Sequence, residues 1–498
     1  MVPETKAPSS GSSAAALILV ALLSTGCVVG PDYEPPPTTL ADGSPMPDAW
    51  HTAIVTGLET GDATLETWWS TFDDPMLSSL IDRARAQNLS TQAALSRIYE
   101  SRYLLAIQKS ENLPDVAAQA DYQIGETSEA QTGIPGEVRG VANIGATASW
   151  EVDLFGRIAR QVESAQATYE ATVEDYRDVL VSLYSEVALS YLDVRALQAR
   201  IDAARDNAES QRESLRIAQA RFDAGLVSLL DVEQAKSNLA DTEAAIPSLE
   251  ASLSFALNRL AVILGTAPGS LHDELSITQP VPIPARTVIA GIPADLLRQR
   301  PDIRRAERQL AAQTAQIGVA TADLYPSFSI TGLLSFQWAG PGDGSGLGWS
   351  IFPGLNFNLF DRAKIRNNIA VQEARTDQLM LFYEDTVLRA IEDVENAFIA
   401  YAMETIRRDR LTEAVDATES AVEIVNIQYL SGLANFQNVL DTERSLFRLQ
   451  DELATSEGLL VQNLVGLYTA LGGGWRPEAN EDPTLAADAA AAETAAQQ

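Results

Sequence analysis

The chain has 498 residues, enough for two or three ordinary domains, and 46% of them are apolar, which supports substantial burial. Its formal net charge of -33 argues against a nucleic-acid partner, whose phosphates demand basic patches, and against simple adsorption to an anionic membrane surface. The one cysteine, Cys27, excludes an intramolecular disulfide and a cysteine metal cluster.

Residues 1–26 carry Lys6 and then "AAALILVALLSTG", an apolar run short for a bilayer span but right for the core of a secretory signal. Cleavage before Cys27 would make it the first residue of the mature chain, an arrangement that resembles a bacterial lipoprotein signal whose new terminal cysteine is acylated. Leu23 stands four residues before the cysteine; the usual pattern has leucine three before, where Ser24 stands. A signal cut elsewhere, leaving a free thiol, is the alternative. Val28 follows the cysteine, where Asp would resemble an inner-membrane retention signal, so the outer membrane is favoured. No later stretch has the roughly 18 to 20 continuous apolar residues of a spanning helix.

Residues 27–74 read as an N-terminal, lipid-anchored segment, and a first structural repeat follows over 75–265. It opens with helix near Pro75 to Leu113. "VAAQADYQIG" (116–125) and "VANIGATASWEVDLF" (141–155) then alternate apolar and polar residues, joined by the polar "ETSEAQTGIPGEVRG". Period two predicts a strand hairpin with one dry and one wet face. Ile144, Ala146, Ala148, Trp150 and Val152 fall on the dry face, with Asn143, Thr147, Ser149, Glu151 and Asp153 opposite. From about Arg157 to Phe222 there is no proline, which predicts one helix of roughly 100 Å. A Gly225-Leu226 turn and a helix near Leu229 to Leu264 complete the repeat.

Residues 266–294 hold Pro268, Pro280, Pro282, Pro284 and Pro293 and read as a linker. A second repeat spans 295–472. Its strands place Phe328, Ile330, Leu334, Phe336 and Trp338 on one edge and Trp349, Ile351, Leu355, Phe357 and Leu359 on another, joined through "AGPGDGSGLG". A shift of 207 positions superposes "RFDAGLVSLLDVEQAKSNL" on "QYLSGLANFQNVLDTERSL" without a gap, matching Gly225 with Gly432, Leu226 with Leu433 and Gly265 with Gly472. Retention of both flanking glycines identifies an internal duplication. The acidic, Ala-rich tail, 473–498, has no apolar face and reads as disordered.

The fold class that follows is mixed α and β: long helices in coiled-coil packing, with the short helices antiparallel along the long ones, plus four strands of bilayer-spanning length. Four strands cannot close a barrel, and an open edge in lipid leaves backbone groups unpaired at several kcal/mol each. Copies of the chain must complete the sheet, two giving eight strands and three giving twelve. The dry face, including Phe328, Ile330, Phe336, Ile351, Leu355 and Phe357, then meets lipid and the polar face lines a conduit.

"CVVGPDYEPP", "WEVDLFGR", "RLAVILGTAPG", "IPADLLRQRPDIRRAE" and "YPSFSITG", in this order from Cys27 to about Gly472, resemble the motifs of the outer membrane factors of Gram-negative tripartite efflux systems. This is the TolC and OprM type, and closely its NodT-like lipoprotein branch. The resemblance implies a homotrimer with a transmembrane β-barrel of twelve strands, a helical barrel through the periplasm, and an equatorial region of chain ends and linker. It implies docking to a periplasmic adaptor protein and to an inner-membrane transporter of the resistance-nodulation-division class. The function expected is a passive exit duct of the cell outer membrane, with a duct for type I protein secretion as the alternative.

Through the same resemblance the Gly225-Leu226 and Gly432-Leu433 turns become periplasmic tips that contact the adaptor, while helix capping by the glycines is the local reading. Asp231 occupies the position of a pore-constricting aspartate; Asn438 replaces it in the second copy, and Asp441 matches a second gate carboxylate. An ordinary solvated helix face is the competing reading of these residues. In "RPDIRRAE", Pro301 and Asp302 suit a helix N-terminus. "GPGDGSGLG" lacks the Lys-Ser/Thr of a phosphate loop and reads as an external hairpin loop. With only His51 and His272, no histidine metal site or His-based triad is expected. No catalytic site and no cofactor are expected.

Overall fold

The computed structural model describes residues 27–37, 44–45, 50–51, 58–60, 65–126, 138–284, 288–290, 299–338, 344–475 and 483–484. The expected signal peptide, the hairpin loops and most of the acidic tail lie outside the described residues. The elements in chain order are β1 (Leu58–Thr60), a 3₁₀ helix (Leu65–Phe72), α1 (Pro75–Gln87), α2 (Leu89–Ser110), β2 (Asp115–Glu126), β3 (Val138–Val152), α3 (Arg157–Asp223), α4 (Leu229–Ile263), β4 (Val288–Ala290), α5 (Pro301–Ala322), β5 (Ser327–Trp338), β6 (Ser345–Asn356), α6 (Arg362–Leu430) and α7 (Phe436–Ala470).

The duplication appears as helix, hairpin, long helix, turn and helix, twice. α3 and α6 have 67 and 69 residues, and α4 and α7 have 35 each. The helix expected before the first hairpin is two helices. Asn88 breaks it: its Nδ2 donates to the Ile263 carbonyl at 2.8 Å while its Oδ1 accepts from the Thr91 amide at 3.0 Å, so one side chain ends α1 and caps α2. α5 begins at Pro301, as the proline and the following aspartate require.

The chain divides into two compact units that cut across the two copies. One holds residues 1–37, 97–172 and 305–383; the other holds 38–96, 173–304 and 384–498. The first contains the antiparallel sheet in the order β2-β3-β5-β6. The second is helical, with a small parallel pair, β1 and β4. Its core gathers Trp68, Leu77, Leu80, Ile81, Tyr191, Leu192, Leu260 and Leu264, all fully buried. Each such leucine contributes roughly 2 kcal/mol by leaving water.

Within the helical unit α3, α4 and α7 meet around Glu443, whose residue is 3% exposed. Ser214 of α3 donates its hydroxyl to Glu443 Oε1, and Asn238 of α4 brings its Nδ2 to 3.5 Å from Oε2. The guanidinium of Arg444 bonds the other end of Asn238, at 2.8 Å, not the carboxylate. Burial pushes the Glu443 carboxyl above its ordinary value, and the Ser214 bond only partly offsets this. Because the folded state favours the protonated form, the contribution of Glu443 to stability is fully present below the ordinary value of 4.5 and is lost as pH rises through the raised one. Glu443→Gln keeps an acceptor for Ser214 without the charge. Thermal melts followed by helical circular dichroism should therefore show the variant more stable at neutral pH, by on the order of 1 kcal/mol, with a flatter pH profile. Parallel profiles for the two proteins would remove Glu443 as the cause.

Candidate channel surfaces

The sheet register sorts the strand residues into two faces. Directly opposed residues share a face, and β3 pairs Ile144 with Ala120 and Phe336, Ala146 with Ala118 and Leu334, Ala148 with Val116 and Gly332, Trp150 with Ile330, and Val152 with Phe328. β5 continues the set by pairing Phe328 with Leu355, Ile330 with Pro353, Gly332 with Ile351 and Leu334 with Trp349. Every strand residue in the expected dry set therefore lies on one face, and Phe357, one residue beyond β6, has the same parity. Gln119, Asp121, Asn143, Thr147, Ser149, Ser329, Thr331 and Ser335 occupy the other. Tyr122, Phe336 and Trp338 gather at the loop end of the apolar face, and Trp150, Phe328 and Phe357 at the helix end.

Among the described residues no element covers either face: β2 is exposed along its length, and so is nearly all of β6. β2 and β6 are the two edges. The adjacency of β3 and β5, which joins the two copies' hairpins into one sheet, was not legible in the strand pattern. Glu151 and Asp153, on the polar side, are tied locally. Glu151 forms a two-point pair with Arg157, at 3.0 and 2.7 Å, and Asp153 accepts from the Ala159 amide at 2.8 Å at the start of α3.

Cys27 is exposed. The residues after it run against the end of β3: the Val29 amide donates to the Phe155 carbonyl at 3.2 Å, and a Cβ on Gly156 would lie 2.8 Å from Val28 Cα. Arg160, itself buried, fixes the strap by donating to the Val29 carbonyl at 3.1 Å and to Asp32 at 2.7 Å. Tyr33 donates to Glu307 at 3.0 Å and lies under the Arg308 guanidinium. Burial and the Glu307 charge raise the Tyr33 phenol, so it stays a donor.

At the other end of the long helices, both Gly-Leu turns are left-handed caps. Gly225 and Gly432 have φ of 69° and 76°. In each, the glycine amide bonds the carbonyl three residues back and the leucine amide bonds the one five back, closing the helix end. Leu226 and Leu433 are 67% and 82% exposed. Beneath them Ala218, Val232, Ala235, Val425, Tyr429, Phe436, Val439 and Leu440 form one core. Several of its members are counterparts in the two copies, such as Val232 with Val439.

Asp231 sits in the first turn of α4, where Ser228 Oγ donates to it at 3.1 Å and the helix dipole favours an acid. Asn438 exposes its side chain, and its backbone amide is capped by Asn435 Oδ1 at 3.1 Å. Asp441 is exposed and accepts from Gln437 Nε2 at 2.8 Å. One chain thus shows Asp231 and Asp441 on separate helices, joined at the tip through Gln234 and Gln437 at 3.4 Å. Two further residues shape the tip. Arg221 donates to the Tyr429 and Leu430 carbonyls at 2.8 and 2.9 Å, capping α6 from the end of α3, and its guanidinium lies 4.7 Å from the centre of the Tyr429 ring. Burial, and after it the charge of Asp231, raises the Tyr429 phenol. A basic residue in the last turn of α3 was the available signal.

Among the described residues no group of three or more His, Cys, Asp or Glu is placed to hold a metal ion, and no helix is long and apolar enough to cross a membrane.

A sequence profile of the family described as outer membrane efflux protein matches residues 80–266 and 292–473. The chain is 32% identical over 471 residues to nodulation protein T of Rhizobium leguminosarum bv. trifolii, covering 92% of this chain and 97% of that protein. It is 29% identical over 471 residues to the toluene efflux pump outer membrane protein TtgF of Pseudomonas putida, covering 92% of this chain and 96% of the relative. Among solved structures, the outer-membrane channel OprN superposes with a TM-score of 0.83 at 35% identity, covering 90% of this chain and 100% of OprN. With the duplicated helices, the uncovered sheet and a match over most of its length, the chain belongs to the outer membrane efflux protein family.

Proposed function

We propose that the protein is the outer-membrane channel of a tripartite efflux system, passively conducting substrates handed to it by an inner-membrane transporter and a periplasmic adaptor. It is a duct and not an enzyme. The observation that carries the reading is the sheet: one apolar face that no described residue covers, bounded by two edges left unpaired among the described residues. In lipid such edges are too costly to leave open, so three copies close a barrel of twelve strands. The apolar face then meets lipid and the polar face the lumen. The efflux role named for TtgF favours small-molecule export over protein secretion.

The remaining assignments belong to the same reading. Residues 1–26 are a lipoprotein signal, and acylated Cys27 enters the leaflet beside the end of β3, where the Val29 tether holds it. Residues 27–74, ahead of the first repeat, and the linker 266–294, between the two repeats, build the equatorial region. Leu226 and Leu433, exposed on capped turns, offer the adaptor apolar contacts, and the transporter is of the resistance-nodulation-division class. Asp231 and Asp441 each become a ring of three carboxylates at the periplasmic gate, with the uncharged Asn438 one turn before Asp441 on α7.

A charge at the bilayer midplane of a barrel costs roughly 2 to 4 kcal/mol, whereas lumen positions tolerate it. Ala148→Arg is expected to deplete heat-modifiable trimers on gels while its neighbour Ser149→Arg leaves them intact. Equal damage from both would contradict the assignment of faces. For the gate, a ring of carboxylates in a narrow pore attracts multivalent cations. Wild-type trimers in planar bilayers should conduct poorly and be blocked by trivalent cations from the periplasmic side. Asp231→Ala with Asp441→Ala should weaken the block, and Asp241→Ala, on the same helix as Asp231, should not. Unchanged block in the double variant would return the two aspartates to the solvated surface.

A further inference from the structure

The junction between β6 and α6 departs from its counterpart in the first copy. There, "LFGR" (154–157) is folded in: Phe155 stacks on Tyr325 with ring centres 4.7 Å apart, Arg157 pairs with Glu151, and Arg160 pairs with Asp32 and Glu163. The second copy has "LFDR" (359–362), and it is bare. Phe360 is 98% exposed and Leu359 64%. Arg362, Lys364 and Arg366 are exposed, and none forms an ion pair with a described residue. Most of the other described arginines have carboxylate partners.

Three features of this junction point to an anion. Residues 357–372 contain three cations and one carboxylate, Asp361, so this stretch is positive within a chain of net charge -33. The cations crowd the N-terminus of α6, where no acidic residue occupies the first turn and the helix dipole opposes them. An anion placed there would be favoured by the dipole and the guanidinium groups together. Finally, the Arg362 guanidinium lies 5.7 Å from the centre of the Phe357 ring, and Phe357 continues the apolar face of β6 past Leu355. Arg362 therefore stands at the rim of the apolar face. Arg366, four residues on, shares its side of the helix. The carboxylates Glu151, Asp153 and Asp323 collect with Asn356 and Asn358 around a cavity of about 230 Å³ on the polar side.

We propose that the β6–α6 junction is a binding surface for anionic phospholipid headgroups, in which Arg362 and Arg366 hold the phosphate while Phe357, Leu359 and Phe360 enter the boundary between headgroup and acyl chain. Lys364 adds long-range attraction. The inference rests on the reading of the apolar face as lipid-facing. It explains why aromatic and basic side chains share this rim, the combination suited to a membrane interface. The charge of the whole chain still opposes adsorption to an anionic surface; the patch acts on lipid that surrounds an inserted barrel.

The test uses full-length trimers reconstituted into vesicles of phosphatidylethanolamine alone or mixed with phosphatidylglycerol, and then extracted mildly so that retained lipid can be counted by mass spectrometry. Wild type should enrich phosphatidylglycerol over its share of the vesicle. Each interfacial cation contributes about fivefold, so Arg362→Gln with Arg366→Gln should lower the enrichment more than tenfold. Arg362→Lys with Arg366→Lys should keep most of it. Arg389→Gln with Arg410→Gln, the same charge change further along α6, should leave it unchanged. Enrichment retained by the double glutamine variant, or lost equally in the control, would overturn the proposal. Dissociation of the double variant's trimers with phosphatidylglycerol enrichment per inserted chain unchanged would assign the patch to a neighbouring copy instead. If wild type inserts into neither vesicle and retains no lipid, the membrane reading itself fails and carries this proposal with it; insertion without enrichment overturns the proposal alone.

Discussion

Backbone hydrogen bonding at the two edges of the sheet is the constraint on which the rest of the proposed assembly depends. Among the described residues β2 and β6 are the sheet's two edges, each a row of amide and carbonyl groups with no strand beside it, next to an apolar face that no described helix covers. In water such a sheet would aggregate, and in lipid each unpaired group costs several kcal/mol. Closure by further copies removes both penalties at once. In chain order α3 and α6 follow directly on β3 and β6.

The duplication places a junction and a tip in each copy, and the copies then diverge where function would demand it. At the tips the capping geometry is the same, with Gly225 and Gly432 both left-handed, yet Asp231 has Asn438 as its counterpart and Arg221 reaches across to cap only the second long helix. At the sheet end the first junction is locked by Arg157, Arg160 and the strap after Cys27, whereas the second leaves Phe360 exposed and its neighbouring cations without ion pairs among the described residues. Repetition supplies the frame, and asymmetry between the copies supplies distinct surfaces.

Much of this frame was legible in the sequence because it rests on local periodicity. Alternation fixed the faces of all four strands, since a slip of one residue would have reversed every side chain. The 207-residue shift located both tip turns and the glycines that end α4 and α7, because left-handed caps select glycine. What escaped were features set by distant contacts. The pairing of β3 with β5 depends on which edges meet, and the break at Asn88 depends on a carbonyl 175 residues away. The burial of Glu443 arises only where three helices converge, and the exposure of Phe360 contrasts with Phe155 only once the strap and Tyr325 are in place. Comparison of the two copies held a signal for Glu443, since its counterpart 207 residues earlier is Lys236, a reversal of charge.

The central claim is that the β2 edge of one copy pairs with the β6 edge of the next in a ring that closes. Cysteine crosslinking tests it most directly. In a Cys27→Ser background, Gln119→Cys on β2 is combined in turn with Gly348→Cys, Ser350→Cys, Phe352→Cys or Gly354→Cys on the same face of β6, and membranes are oxidised before denaturing gels. The account requires one of these pairs to give a ladder that ends at the covalent trimer. A ladder that stops at the dimer, one that runs beyond the trimer, or no crosslink from any pair would contradict it.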